Sequence, residues 1–154
     1  MFTFFKFLHI LLMFAAVAAT VLPEVVLHLV ARSRDVRAIH TFGVVSERIG
    51  KVSTVLFVGG LVFGLLAAWS GELNFLAPWL VAAYVLVVAA IVIGVTVTDR
   101  WAARLTAVAG SVQGDGPSPE LESVIGNRSA RIASAVLMAI LATIIFLMVF
   151  KPGN

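Results

Sequence analysis

The chain has 154 residues, of which 61% are hydrophobic and 12% are charged, and its net charge is +3. A soluble domain has about 45–50% apolar and about 25% charged residues, so the composition excludes a water-soluble globular protein and indicates that lipid is the solvent for most of the surface. The chain has no cysteine, which excludes disulfides, thiolate metal sites and cysteine nucleophiles.

Four segments reach the length of about 20 apolar residues that a spanning helix requires. We predict spanning helices at about 4–30, 52–69, 76–97 and 132–150, with loops at 31–51 and 98–131. The first segment is longer than the apolar core of a signal peptide and is interpreted as a retained helix. The short loop 70–75 makes helices two and three antiparallel neighbours. The expected fold is all-α: one domain, a polytopic membrane protein with a four-transmembrane-helix up-down bundle.

Positive charge predicts the orientation of these helices. The first and third loops and their edges contain most of the 11 Lys and Arg residues, namely Arg32, Arg34, Arg37, Arg48, Lys51, Arg100, Arg104, Arg128 and Arg131. Only Lys6 and Lys151 lie near the termini. Loops 31–51 and 98–131 are therefore predicted to be cytoplasmic, with both termini outside. We found no transit-peptide or sorting signal, which is compatible with a bacterial inner membrane. Trp69 and Trp79 are expected in an aromatic belt at the outer interface. The basic residues flank spans, so the expected partner is the bilayer and not nucleic acid.

Helix one is the segment richest in polar residues. Seven of its residues fall on one helical stripe, which we predict to face the bundle interior: Lys6, His9, Met13, Ala16, Thr20, Glu24 and Leu27. His9, near the outer end, has two interpretations. It is either an axial haem ligand or proton carrier, or an interfacial histidine bonded to a neighbour or to water. His28 and His40 are expected to be interfacial, and their scattered spacing predicts no zinc or other metal site.

Glu24 follows Pro23 within the span, where a carboxylate is costly. It is either a proton or ion site, or a fold-defining partner of Arg48 or Lys51 near the cytoplasmic edge. Gly60 and Gly64 form a GxxxG in helix two, which permits close helix approach within the bundle or in a dimer. Tyr84 and Thr143 are interpreted as lone packing or hydrogen-bonding residues.

The third loop contains further helical signals. Residues 100–112 are expected to be helical, either continuing helix three or lying on the membrane surface. Residues 114–119, Gly-Asp-Gly-Pro-Ser-Pro, break the chain. Ser118 then has the position of an N-cap, with Pro119 first in the following helix and with Glu120 and Glu122 in its first turn. Helix four is thus predicted to begin before it enters lipid.

Three short motifs carry a resemblance to a known family: Lys6-Phe7-Leu8-His9-Ile10, Pro78-Trp79-Leu80, and the closing run 146–152. With these the chain resembles, over nearly its whole length, the bacterial "domain of unknown function 2269" family of predicted integral membrane proteins. The opening is also similar to HemJ-type protoporphyrinogen oxidases, which bind haem through a first-helix histidine, and to CopD-like copper-resistance membrane domains. The unknown-function family implies no activity, whereas the likeness to the HemJ type implies haem b at His9. However, the lysine that the HemJ type carries in a later helix has no counterpart in helix three, which argues against the oxidase activity. The haem would then be five-coordinate, or its second ligand would be Met13, Met138, Met148 or a residue of another subunit.

Three functional hypotheses follow. The first is a small accessory or structural membrane subunit that associates with itself or with a larger complex, because the sequence has no catalytic signature. The second is a haem-binding membrane redox protein using His9. The third is a proton- or ion-coupled transporter using Glu24, which ranks last because helices three and four supply no partner charge and no sign of a broken helix.

Overall fold

The structure, a computed structural model, describes residues 1–112 and 116–152, and all regular secondary structure in that part of the chain is helical. Its elements are α1 (Phe2–Ser33), α2 (Val36–Ser70), α3 (Pro78–Ile93), a π-helical turn (Gly94–Thr98), α4 (Asp99–Ser111), α5 (Pro119–Ile125) and α6 (Arg128–Phe150). Four helical segments are long and apolar enough to cross a membrane, namely Phe2–Ser33, Val36–Ser70, Pro78–Ser111 and Pro119–Phe150, of which the last is interrupted between α5 and α6. The predicted all-α fold with four spans is confirmed. The predicted pairing of helices two and three is wrong for α3 itself, which packs on α6, whereas α2 packs on α1 and on α4.

The connection between α1 and α2 is much shorter than the sequence suggests. Arg34 ends α1 in the left-handed conformation, with φ 61°, and the Asp35 carboxylate caps α2 by accepting the Ala38 N–H at 2.9 Å. Residues 36–51, which we assigned to a loop, form the first half of α2. The reason is that no proline interrupts this stretch. Its charged residues can also extend beyond the lipid, as in the exposed Lys51–Glu47 ion pair of 3.1 Å.

The third loop is also mostly helical. α4 continues α3 through the π-helical turn, in which Thr98 Oγ1 donates to the Gly94 carbonyl at 3.0 Å. The prediction that residues 100–112 continue helix three therefore holds over Asp99–Ser111. The predicted cap of α5 is also confirmed, because the Leu121 N–H donates to Ser118 Oγ at 3.2 Å. Gly114 and Asp115 of the predicted break lie outside the described residues.

The main core lies at the end of the bundle that contains Arg34, α4 and α5, which we call the basic end. There α1 and α2 meet α4, α5 and the start of α6 around Leu27, Ile39, Leu105 and Leu121, each at most 2% exposed. A smaller cluster at the opposite end joins Ala77, Trp79 and Leu80 to Leu147 and Met148. Trp69 is 70% exposed, as expected of an interfacial belt residue, whereas Trp79 is only 4% exposed and belongs to the core.

The surface between the two ends is apolar. On α1, for example, Phe4, Phe7, Leu11 and Phe14 are all at least half exposed and recur at intervals of three or four residues. Such a stripe would be costly in water and is favourable in hydrocarbon.

Candidate functional site

His9 lies in the interface between α1 and α2. Its Nδ1 atom is 2.7 Å from the Gly60 carbonyl oxygen, and because that oxygen only accepts hydrogen bonds, Nδ1 is the donor. A side chain at Gly64 would meet the ring, since a Cβ there would lie 2.7 Å from Nδ1. Among the described residues, Nε2 of His9 has no hydrogen-bond partner. Nδ1 is thus used in a hydrogen bond that joins α1 to α2, whereas Nε2 remains available for another bond.

The GxxxG motif of α2, formed by Gly60 and Gly64, packs against α1 of the same chain. Gly60 faces Met13, where a Cβ would lie 2.6 Å from the thioether sulfur, and Gly64 faces His9. The two glycines therefore allow α1 to approach α2 closely, which is the intramolecular alternative of the two that the motif allows.

The predicted interior stripe of α1 is largely confirmed. Near its centre, Thr20 Oγ1 lies 2.6 Å from Ser53 Oγ of α2, and both hydroxyl groups lie within 3.0 Å of the Ala16 carbonyl. Ala16 is 1% exposed and Leu27 is 2% exposed. Two residues of the stripe are exposed: Thr20, although its hydroxyl reaches Ser53, and Lys6, whose ammonium group lies 5.8 Å from the Phe2 ring centroid.

Glu24 occupies a second polar site, closer to the basic end. α1 remains helical through Pro23, and the Glu24 carboxyl group lies near the Ser134 hydroxyl of α6 and near Asp99. Its Oε1 atom is buried with no hydrogen-bond partner among the described residues. Among the described residues, neither Arg48 nor Lys51 pairs with Glu24, and Lys51 instead pairs with Glu47.

His28 and Trp101 complete this second site, which we call the inner cluster: Glu24, His28, Trp101 and Ser134. His28 Nε2 is 3.0 Å from Ser134 Oγ, and the His28 ring stacks on the Trp101 indole with centroids 4.3 Å apart. Trp101 Nε1 donates to the Val124 carbonyl at 2.9 Å. The cluster therefore links α1, α4, α5 and α6.

Sequence reasoning missed Trp101 and Ser134 as members of this site. The available signals were that Trp101 follows the charged pair Asp99-Arg100 at a span boundary, and that Ser134 is the first hydroxyl residue inside helix four. Neither signal identifies a partner, because the partners come from α1.

His40 makes the third contact between a histidine and another helix. Its Nδ1 donates to the Thr106 carbonyl of α4 at 3.2 Å, and Gly110 leaves room for the ring. In residues 1–112 and 116–152 no group of three or more histidine, aspartate and glutamate side chains is arranged to hold a metal ion. Thr143 donates to Ala139 within its own helix at 2.8 Å, as expected of a lone hydroxyl.

No protein-family model, curated protein or solved structure matches this chain. Its class follows from the four apolar helices and the exposed apolar surface. It is a multi-pass membrane protein.

Proposed function

We propose that the chain is a small accessory or structural membrane subunit that associates with itself or with a larger membrane complex. The observation that carries this proposal is the use made of the three histidines, the residues best suited to carry chemistry. His9 bonds to α2, His28 to α6 and His40 to α4. Each contact ties two helices together, and such interhelical bonds are a usual way to stabilise a membrane bundle.

The proposed setting is the bacterial inner membrane, with the basic end in the cytoplasm and both termini outside. The clustering of Arg34, Arg37, Arg100 and Arg104 around the turn after α1 and along α4 supports this orientation. Cysteines introduced singly at Arg37 and Glu72 test it, because a membrane-impermeant maleimide added to intact cells should label only the second. Labelling of the Arg37 position alone would show that the orientation is the opposite of the one proposed.

Association is tested by extracting the tagged chain from membranes in a mild detergent and measuring its mass after cross-linking. A subunit should be recovered as a defined species well above the 16.4 kDa of the single chain. Recovery as a monomer over a range of expression levels would contradict the proposal.

Proton- or ion-coupled transport is a second candidate, favoured by the inner cluster. The Ser134 hydroxyl donates to the Ala130 carbonyl at 3.1 Å and lies 3.0 Å from His28 Nε2. Beside it, the Oε1 atom of Glu24 is buried with no hydrogen-bond partner among the described residues, so a carboxyl group stands next to a polar cluster inside the span. The π-helical turn Gly94–Thr98 also supplies an irregular helix, which we did not find in the sequence.

Flux in proteoliposomes distinguishes this candidate. With a pH-sensitive dye trapped inside, Glu24→Gln should abolish proton movement, and Glu47→Gln, at an exposed residue that is paired with Lys51, should leave it unchanged. Equal flux in both variants would exclude a role for Glu24.

Haem binding is a third candidate, favoured by the geometry of His9. Histidine ligands commonly donate one ring nitrogen to a carbonyl and bind the metal through the other, and His9 has that arrangement with Gly60. The proposed resemblance of the opening motif to HemJ-type and CopD-like domains supports the same candidate. Protein purified from haem-replete cells should then show a Soret band, with sharper α and β bands after dithionite. His9→Ala should lose these bands and His40→Ala should keep them, whereas a featureless wild-type spectrum would exclude haem.

A further inference from the structure

A groove of about 270 Å³ opens at the basic end between the long helix α3–α4 and the segment that joins α5 to α6. Arg100 and Arg104 line one wall, one helical turn apart. Ser123 and Asn127 line the other wall. Trp101, which is 7% exposed, lies between the walls and is held there by its bond to Val124.

The groove crosses the boundary that we predict for the third span. Thr96 and Val97 line its membrane side, and Val97 is the last residue of that predicted span. Val92 and Val95, which are 54% and 56% exposed, extend the apolar surface away from the groove along the same helix. A ligand in the groove would therefore meet hydrocarbon at one end and arginine at the other.

The polar groups of the groove suit an anion. Arg100 makes no ion pair with any described residue. Asn127 uses its Oδ1 to cap α6 by accepting the Ala130 N–H, so its side-chain NH₂ remains free to donate. Guanidinium groups bind phosphate oxygens in a bidentate manner, and basic pockets at the membrane face are typical sites for anionic headgroups.

We propose that this groove binds the phosphate headgroup of an anionic phospholipid, with Arg100 and Arg104 as the main ligands and Asn127 and Ser123 as hydrogen-bond donors. The acyl chains lie along Val92 and Val95. One residue opposes this ligand: Glu120, whose carboxylate lies 3.7 Å from the Arg104 guanidinium at the rim of the groove. That pair is long and both side chains are more than 60% exposed, so a phosphate can displace the carboxylate from Arg104.

The test measures lipid retained by the purified full chain in a neutral detergent, by native mass spectrometry with equal amounts of phosphatidylglycerol and phosphatidylcholine. The wild-type chain should retain phosphatidylglycerol preferentially. Arg100→Gln and Arg104→Gln should each weaken that binding by about fivefold, the effect typical of one arginine near anionic lipid. Arg48→Gln, on α2 and outside the groove, is the matched control and should leave the preference unchanged.

Glu120→Gln should have the opposite effect to the arginine substitutions, because removal of the competing carboxylate should increase phosphatidylglycerol retention. Equal retention of the two lipids by the wild-type chain would overturn the proposal. So would an Arg48→Gln effect as large as that of Arg100→Gln, which would indicate a general effect of charge. Displacement of the lipid by millimolar inorganic phosphate, but not by chloride at the same ionic strength, would assign the groove to a soluble anion and overturn the lipid assignment.

Discussion

The Nδ1 atom of His9 lies 2.7 Å from the carbonyl oxygen of Gly60, in a space that exists because Gly64, one helical turn further along α2, has no side chain. The polar residue of α1 and the glycine motif of α2 are therefore two halves of one helix–helix contact. Because the glycines let α1 approach α2 closely, the ring nitrogen of His9 comes within hydrogen-bond distance of the Gly60 carbonyl, which belongs to the backbone of α2.

Gly64→Ala is expected to disrupt this contact. The added methyl group would lie 2.7 Å from the His9 ring, which must move and give up its bond to Gly60. We expect the free energy of unfolding to fall by about 1–3 kcal/mol, as for other overpacked sites. Reversible unfolding in mixed micelles with increasing SDS measures the change. Gly59→Ala is the control, because its Cβ would meet only Leu12 at an ordinary 3.4 Å. Equal destabilisation by both substitutions would show that glycine flexibility, and not the His9 contact, matters.

His9→Ala should lower the free energy of unfolding by about 0.5–1.5 kcal/mol, the usual range for one interhelical hydrogen bond in a membrane. The same unfolding titration provides the measurement. In a double-mutant cycle with Gly64→Ala the two effects should be strongly non-additive, because both act on the same hydrogen bond. Additive losses would mean that the alanine at position 64 leaves the His9–Gly60 bond intact.

Glu24→Leu should stabilise the bundle. The Oε1 atom is buried without a described partner, and an unsatisfied buried acceptor costs about 1–3 kcal/mol, so a leucine of similar size should raise the free energy of unfolding. Glu47→Leu, at an exposed ion pair, should give no such gain. Unfolding titrations of the three proteins test this prediction. A destabilised Glu24→Leu protein would show that the interactions of the Glu24 side chain stabilise the fold by more than its buried oxygen costs.

Trp101→Phe should loosen α5. The substitution keeps most of the stacking on His28 but removes the hydrogen bond from Nε1 to the Val124 carbonyl. Because one hydrogen bond is lost, we expect the free energy of unfolding to fall by about 1 kcal/mol. Limited proteolysis of the segment before Pro119 should become faster, because the short α5 is held largely by Trp101 and Leu121. Trp69→Phe, at a side chain that is 70% exposed, should leave the cleavage rate unchanged. An unchanged rate in Trp101→Phe would mean that Leu121 and the Ser118 cap suffice to hold α5.

Some interactions were predictable from local sequence, and others were not. The cap at Ser118 was predictable because an N-cap depends on residues within three positions, and the interior stripe of α1 was predictable because it depends only on helical periodicity. The Arg34–Asp35 turn was missed because charged residues resemble a loop although they can equally form a helix that extends beyond the lipid. The inner cluster was missed because Ser134 lies more than a hundred residues from its partners in α1.

Composition and hydropathy by themselves determined that this is an all-α protein with four membrane-spanning helices, because only a helix satisfies its backbone within one continuous apolar segment. They also determined which face of α1 is polar. Only the tertiary structure decided what each polar group contacts: Gly60 for His9, Ser134 for His28, and Val124 for Trp101. The physical reason is that lipid favours all apolar faces almost equally, so hydrophobicity does not select helix neighbours, and small residues and hydrogen bonds between distant segments make that selection.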